Sequence, residues 1–178
     1  MLPSFPSGRT RLFNTPAVLG GRGFSLRPLD DGDLTWLREL YASTRADEMA
    51  MVPWLEAAKR AFLDQQFDLQ HRHYLAEYAD ADFLAIEGDK QPIGRYYLLR
   101  QAPLHLLVDI SLFPQTRGQG VGAELIRSSQ AAAAAASCGM RLSVRTDNLR
   151  AQSLYLRLGF VPDDAETPAT HLSMRWLP

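Results

Sequence analysis

The chain has 178 residues and a formal net charge of −1, from 19 basic and 20 acidic residues. This length is typical of one domain with a sizeable core, and the balanced charge excludes a global attraction to nucleic acid or to an anionic membrane. A single cysteine, Cys138, excludes an intramolecular disulfide, and no apolar run approaches the roughly 20 residues of a membrane span. We therefore expect a cytoplasmic protein without nucleic-acid or membrane partners.

The first half of the chain predicts an extension followed by helices. Residues 1–23, with two prolines in the first six positions and two adjacent glycines near the end, are interpreted as an N-terminal extension, and residues 24–178 as a single domain. The domain begins with a short alternating strand, and apolar residues over positions 34–41 then recur at helical spacing. Pro53 interrupts this pattern, so a second helix is predicted from about Leu55.

The second half predicts strands alternating with helices. "DFLAIEGDKQPIGRYYLLRQ" is typical of a β-hairpin, and "LHLLVDISLF" is a strand that Pro114 ends. A helix is expected over Ala123–Ser137, with Gly139 at its C-terminal cap. The strand "MRLSVR", the helix in "NLRAQSLYLRLGF" closed by Gly159, and the strand "THLSMRWL" complete the chain. The order predicts a mixed α/β fold, with antiparallel strands first.

One crossover carries the most informative motif. It joins the strand over Leu106–Phe113 to the strand over Met140–Arg145, which should be parallel and right-handed. Between them, Arg117–Gly122 reads RGQGVG and opens the helix. Backbone N–H groups at a helix N-terminus bind anions, missing side chains allow a phosphate to approach them, and an arginine adds a positive fork. The motif therefore predicts a diphosphate site.

A dinucleotide-binding enzyme is the alternative interpretation of this motif. Gly118–Ala123 satisfies the G-x-G-x-x-[G/A] pattern, and Asp147 lies just beyond the next strand, where an acid that binds ribose would belong. Too few residues follow Asp147 to complete the parallel sheet of that fold. The antiparallel first half also argues against it, but these residues alone leave a nicotinamide oxidoreductase open.

A second motif follows the crossover strand. Asn148 is a typical helix N-cap residue, and Ala151 and Tyr155 lie four residues apart on one helical face, which would let the Tyr155 phenol project toward the same site. Together with RGQGVG, this Asn-x-x-Ala-x-x-x-Tyr element resembles the GNAT superfamily of acyl-CoA-dependent N-acyltransferases. The motifs of the family are matched over Leu106–Phe160, and the predicted order of helices and strands resembles that of the family from Phe24 to the C-terminus.

The resemblance implies a bent mixed sheet of about six to seven strands, flanked by about four helices. The fourth and fifth strands would splay apart, and the pantetheine of acetyl-CoA would lie in the gap, with strand backbone groups binding its amides and the glycine-rich turn binding its diphosphate. The cofactor-binding residues that it implies are Leu112, Phe113, Arg117, Gly118, Gln119, Gly120, Val121, Gly122, Asn148 and Ser153.

The implied reaction is transfer of an acetyl group to a primary amine of a small molecule or a peptide. Tyr155 would be the general acid, and Asp109 is the best-placed base, with Glu87 second. Strand alternation places Leu107 on the same face as Asp109. We expect no metal, because His71 and His73 point to different faces of a helix. A homodimer, common among similar proteins, and a non-catalytic acyl-CoA-binding module both remain open.

Overall fold

The computed structural model describes residues 1–8, 13–164 and 168–178. Its strands are β1 (Phe24–Pro28), β2 (Asp82–Gly88), β3 (Gln91–Leu99), β4 (Leu104–Leu112), β5 (Gly139–Arg145), β6 (Val161–Pro162) and β7 (His171–Trp176). Its α-helices are α1 (Ala17–Gly20), α2 (Leu34–Thr44), α3 (Ala46–Ala50), α4 (Glu56–Glu77), α5 (Val121–Ala135) and α6 (Leu149–Arg157). None of the helices among these described residues is long and apolar enough to cross a membrane.

The strands form one sheet in the order β1-β2-β3-β4-β5-β7-β6. The neighbouring strands pair antiparallel except β4 and β5, which α5 connects as a parallel crossover. The predicted mixed α/β fold is therefore confirmed, including its antiparallel first half. The sequence prediction did not include the short elements α1, α3 and β6.

The sheet separates two hydrophobic cores. Phe83 and Leu84, adjacent on β2, belong to different cores because successive side chains of a strand point to opposite faces. Helices α5 and α6 contribute to one core, and α2 and α4 contribute to the other. The N-terminal extension contributes to both, since Phe13 and Leu19 are buried in the first and Phe5 in the second.

The end of α5 differs from the prediction that Gly139 caps it. The helix ends at Ala135, and Ser137 takes the left-handed conformation with a φ of 55°. The N–H of Cys138 then donates to the carbonyl of Ala133 at 2.8 Å, which closes the helix as a Schellman motif. Gly139 instead begins β5, where a Cβ would lie 2.5 Å from the carbonyl oxygen of Trp176. The absence of a side chain at Gly139 allows β5 to lie close to Trp176 of β7.

The parallel pair β4–β5 separates along its length. Pairing runs from Leu104 with Gly139 to Leu107 with Leu142 and stops there, although β4 continues to Leu112 and β5 continues alongside β7. We call the unpaired space after Leu107 and Leu142 the β4–β5 gap. The predicted splaying of the fourth and fifth strands is confirmed, and the edge of the sheet where both strands end is left open.

A β-bulge shapes β4 at the same point. Leu98 of β3 pairs with Leu107, but the next residue, Tyr97, pairs with Asp109, so Val108 is the extra residue. The bulge shifts the alternation of side chains by one position. Leu107 packs into the core of α5 and α6 and Val108 into the core of α2 and α4, and because of the bulge Asp109 lies on the same side as Val108, where it contacts Tyr74 of α4. The interpretation that Leu107 shares a face with Asp109 is wrong for this reason.

Candidate active site

The turn between β4 and α5, residues 117–122, is the glycine loop. Gly118 and Gly120 have φ values of +80° and +79°, which L-residues with side chains rarely adopt. A Cβ at either position would meet nothing within 4 Å, so backbone conformation rather than crowding requires these two glycines. At Gly122 a Cβ would lie 3.3 Å from the Cδ1 of Ile110 on β4, so this glycine permits close packing of helix on strand.

The glycine loop presents backbone N–H groups at the start of α5. Gly120 is the N-cap residue and provides no side chain to cap the helix. The first N–H bonded within the helix is that of Glu124, which donates to the carbonyl of Gly120 at 3.0 Å. The N–H groups of residues 121–123 precede it and have no partner in the helix. The side chain of Val121 is buried, so this residue offers the site only its backbone. Such an arrangement binds anions.

Arg117 adds a positive charge to the loop. Its Nε donates to the carbonyl of Leu112 at 2.9 Å, which holds the guanidinium beside the end of β4. Partial burial lowers the pKa of Arg117, and the positive charge of Arg150, in the first turn of α6, lowers it further. Arg117 forms no ion pair with any carboxylate that the structure describes. Its charge is therefore available to an anion.

The backbone at the end of β4 offers an open donor to the β4–β5 gap. Phe113 donates its N–H to the carbonyl of Ile93 at 2.9 Å, and its carbonyl accepts from the N–H of Thr116 at 3.0 Å. Because backbone groups alternate in direction along an antiparallel pair, the preceding residue Leu112 faces away from β3 and toward the gap. The Leu112 carbonyl is occupied by Arg117, which leaves its N–H. Of the two predicted residues, Leu112 rather than Phe113 has an unoccupied backbone group.

Tyr155 reaches the same region from α6. It belongs to the core that contains Leu107 and Leu142, the last paired residues before the gap, and it is 8% exposed. Within the described part of the chain its hydroxyl has no hydrogen-bond partner. Among the described residues, the one side-chain polar atom that is both fully buried and without a partner is Nδ1 of His105, so the Tyr155 oxygen must retain some exposure. The Tyr155 hydroxyl is therefore not sealed in the core.

The surroundings of Tyr155 keep its hydroxyl protonated. Burial raises the pKa of the Tyr155 phenol above its ordinary value, and the negative charge of Asp109 raises it further. At neutral pH the side chain is a neutral hydrogen-bond donor. This is the form that a general acid requires.

The N-terminus of α6 is built as predicted. Asn148 is the N-cap residue, and its Oδ1 accepts from the N–H of Ala151 at 3.1 Å. Ser153 is exposed and lies two residues before Tyr155, about 200° around the helix. The structure therefore places Asn148 at the start of α6 after β5, and it does not bring the Ser153 side chain to the Tyr155 hydroxyl.

Asp109, the predicted base, is already engaged on the face of α4. Its Oδ2 accepts from the Nη2 of Arg95 at 2.8 Å and from the hydroxyl of Tyr74 at 3.0 Å, and its Oδ1 accepts from the Oγ of Ser111 at 2.8 Å. The side chains of Arg95 and Asp109 are 4% and 11% exposed. Three neighbouring side chains therefore already engage both oxygens of this carboxylate.

The second carboxylate considered as a base, Glu87, lies elsewhere. It is on β2 and forms an ion pair with Arg27 at 2.7 Å while accepting from the hydroxyl of Ser25 at 3.1 Å. β3 stands between β2 and β4 in the sheet, so the structure does not bring Glu87 to the β4–β5 gap. The sequence prediction missed Arg95, although a single charge inside the apolar strand "IGRYYLL" indicates a buried ion pair.

Comparison with known proteins identifies the family. The model of the acetyltransferase (GNAT) family matches residues 37–160, which is more than half of the chain. The chain belongs to the GNAT acetyltransferase family. It is therefore an acyltransferase. The nicotinamide interpretation of the glycine loop is wrong, because β4–β5 is the one parallel pair among the described strands and Asp147 forms an ion pair with Arg145 at 2.6 Å.

Solved structures share the fold of this GNAT chain. The PaiA N-acetyltransferase from Thermoplasma acidophilum, in complex with coenzyme A, is 20% identical, with a TM-score of 0.66 over 87% of this chain and 99% of that chain. A histone acetyltransferase HPA2-related acetyltransferase from Corynebacterium glutamicum is 22% identical, with a TM-score of 0.59 over 88% and 97%. A chimera of spermidine N-acetyltransferase SpeG from Vibrio cholerae and hSSAT is 19% identical, with a TM-score of 0.55 over 87% and 95%. A search of curated proteins found no significant match.

Proposed function

We propose that this GNAT chain transfers an acetyl group from acetyl-CoA to a primary amine. The observation that carries the proposal is the β4–β5 gap, where pairing stops after Leu107 and Leu142. The glycine loop lies at the open edge of this gap, and the core beside it holds the protonated phenol of Tyr155. The presence of coenzyme A in the PaiA structure of the same fold supports the choice of substrate.

Each part of acetyl-CoA has a counterpart in the site. The N–H groups of the glycine loop and the guanidinium of Arg117 suit the diphosphate, which is a compact anion. The pantetheine would follow β4 through the gap, where the N–H of Leu112 is open to one of its amide carbonyls. Asn148, which caps α6, would line the opposite side. The thioester would then lie toward Tyr155, at the inner end of the gap.

The proposed reaction is direct attack of the amine on the thioester. The amine nitrogen forms a bond with the carbonyl carbon, the carbon–sulfur bond breaks, and the Tyr155 hydroxyl donates a proton to the departing sulfur. The proton that the amine loses goes to solvent water in our proposal, because Asp109 is held by Arg95, Tyr74 and Ser111, and solvent water returns a proton to the Tyr155 phenolate, so no net proton is gained or lost. Asp109 then serves to keep the bulged segment of β4 in place.

The acceptor amine would enter beside α3. This segment carries Asp47 and Glu48, but Glu48 already pairs with Arg45 and with Arg145, each at 3.0 Å. Asp47 has no ion pair with any residue that the structure describes, and it lies close enough to Arg117 to affect the pKa of that guanidinium. We assign Asp47 to the acceptor side of the site, where its carboxylate would attract a cationic amine.

A thiol-release assay tests the proposed function. The chain is incubated with acetyl-CoA and a panel of primary amines, each paired with its N-acetylated form, which has no amine to react. We expect release of free coenzyme A thiol with at least one amine and none with its acetylated partner. Binding of acetyl-CoA without release in any amine of a broad panel, covering polyamines, amino sugars and peptide N-termini, would favour the non-catalytic acyl-CoA-binding module instead.

The glycine loop gives a matched pair of substitutions. Gly120→Ala places a side chain on a residue with a φ of +79°, which costs about 1–2 kcal/mol and shifts the loop N–H groups. We expect the Kd for coenzyme A, measured by calorimetry, to rise about tenfold. Gly122→Ala adds the same methyl group toward Ile110 rather than toward the loop surface, and its effect should be much smaller. Equal affinities of the two variants for coenzyme A would contradict the assignment of the glycine loop as the diphosphate site.

A further inference from the structure

The N-terminal extension brings a second arginine to the glycine loop. Arg22 precedes β1, and its Nη2 donates to the carbonyl of Gln119 at 2.7 Å, between the two left-handed glycines. Its guanidinium also lies over the ring of Phe24, 5.2 Å from the ring centroid. Two separate contacts therefore hold one face of this side chain beside the loop, while its other N–H groups face solvent.

The backbone before β1 fixes the position of Arg22. Leu19 of α1 is 1% exposed and packs in the same core as Val121 and Leu125 of α5. The N–H of Arg22 donates to the carbonyl of Leu19 at 2.9 Å, and Gly23 follows with a φ of +82°. The extension is thus anchored to the helix that the glycine loop begins. Arg22 is placed by this anchor and not by an ion pair.

The arginines around the glycine loop form no ion pairs among the described residues, although the charge of Asp47 acts on Arg117. Most arginines that the structure describes have a carboxylate partner, such as Arg27 with Asp33. Arg22, Arg117 and Arg150 have none among the described residues. Arg150 lies close enough to Arg117 for its positive charge to lower the pKa of that guanidinium. A cluster of unpaired arginines at a site with open N–H groups suits a ligand that carries several phosphates.

We propose that Arg22 binds the phosphate monoester on the ribose of coenzyme A. This inference rests on the proposed function. The diphosphate matches the N–H groups of the glycine loop and Arg117, and the ribose phosphate is a further dianion, which those groups do not neutralise. Arg22 stands at the rim of the loop with a free face of its planar fork, the geometry that binds a phosphate bidentately. The N-terminal extension would thereby select coenzyme A over the same molecule without this phosphate.

Calorimetric titration with coenzyme A and with dephospho-coenzyme A, which lacks only the ribose phosphate, tests the proposal. We expect the unmodified chain to bind coenzyme A about tenfold more tightly. Arg22→Gln should lose most of this preference while its affinity for dephospho-coenzyme A stays unchanged, and Arg22→Lys should keep only part of it. The matched control is Arg157→Gln, which removes an exposed arginine from the far end of α6.

The outcomes separate this inference from the proposed function. An equal loss of affinity for both ligands in Arg22→Gln would overturn the inference, because it would place Arg22 on the diphosphate or in support of the loop. Unchanged affinities in that variant would also overturn it. If the unmodified chain bound neither ligand, the proposed function itself would be refuted, and this inference with it.

Discussion

Replacing Tyr155 with phenylalanine is expected to lower kcat by at least about tenfold, because a positioned general acid typically contributes roughly 10²–10⁴-fold. Removing the hydroxyl leaves the ring in its contact with Phe160 and removes the proton donor near the sulfur. Since the hydroxyl has no partner among the described residues, stability should change little. Steady-state kinetics with the amine identified by the thiol-release assay, together with the Kd for acetyl-CoA, measures the effect.

Tyr96→Phe is the matched control for this substitution. Tyr96 is also a buried tyrosine of the same core, but its hydroxyl makes a 2.6 Å hydrogen bond with Ser129 of α5. We expect Tyr96→Phe to lose about 1 kcal/mol of stability and to retain kcat. Unchanged turnover in Tyr155→Phe, or an equal loss of turnover in the two variants, would refute the assignment of Tyr155 as the acid.

Substituting Asp109 is expected to have the largest effect on stability. In Asp109→Asn the size of the side chain is kept but its charge is lost, and the buried guanidinium of Arg95 is left without its counter-ion. Breaking a buried ion pair from one side costs about 3–5 kcal/mol. Chemical denaturation of the variant should show a loss of this order in the free energy of unfolding. A loss of less than about 1 kcal/mol in the free energy of unfolding would contradict the presence of a buried Arg95–Asp109 ion pair.

A double substitution distinguishes the contribution of the Arg95–Asp109 ion pair to stability from any role of Asp109 in catalysis. Arg95→Met with Asp109→Leu removes both charges together, and we expect this variant to be more stable than either single substitution, because no unpaired charge remains. Activity per folded molecule distinguishes the roles of Asp109. We expect Asp109→Asn to reduce kcat less than Tyr155→Phe does. A larger reduction in kcat would restore Asp109 as the base.

Local patterns in the sequence predicted the elements that carry the site. Pro114 and the glycines after it define where β4 ends and α5 begins, and Asn148 and Gly159 define the limits of α6. These residues act through the conformation of a few neighbouring peptide units, so they can be interpreted without knowledge of the rest of the fold. The same reasoning failed at Gly139, where contact with Trp176 on a distant strand requires the glycine.

Features that depend on contacts between distant segments were not predicted. The bulge at Val108 is a property of the pairing of β3 with β4, and it moves Asp109 to the face of α4, where Arg95 engages it. The contact of Arg22 with Gln119 joins residues 97 positions apart. No periodicity within either segment indicates such a contact, because side-chain direction in a strand follows from register and in a turn follows from packing.

The central claim is that the backbone N–H groups of the glycine loop bind the diphosphate of acetyl-CoA. A crystal structure of the chain with coenzyme A tests it most directly. We predict that the diphosphate oxygens accept hydrogen bonds from N–H groups of the loop and of the first turn of α5, with the pantetheine in the β4–β5 gap. A bound coenzyme A whose diphosphate lies away from Gly118 and Gly120, or a loop left empty at saturating coenzyme A, would contradict the claim.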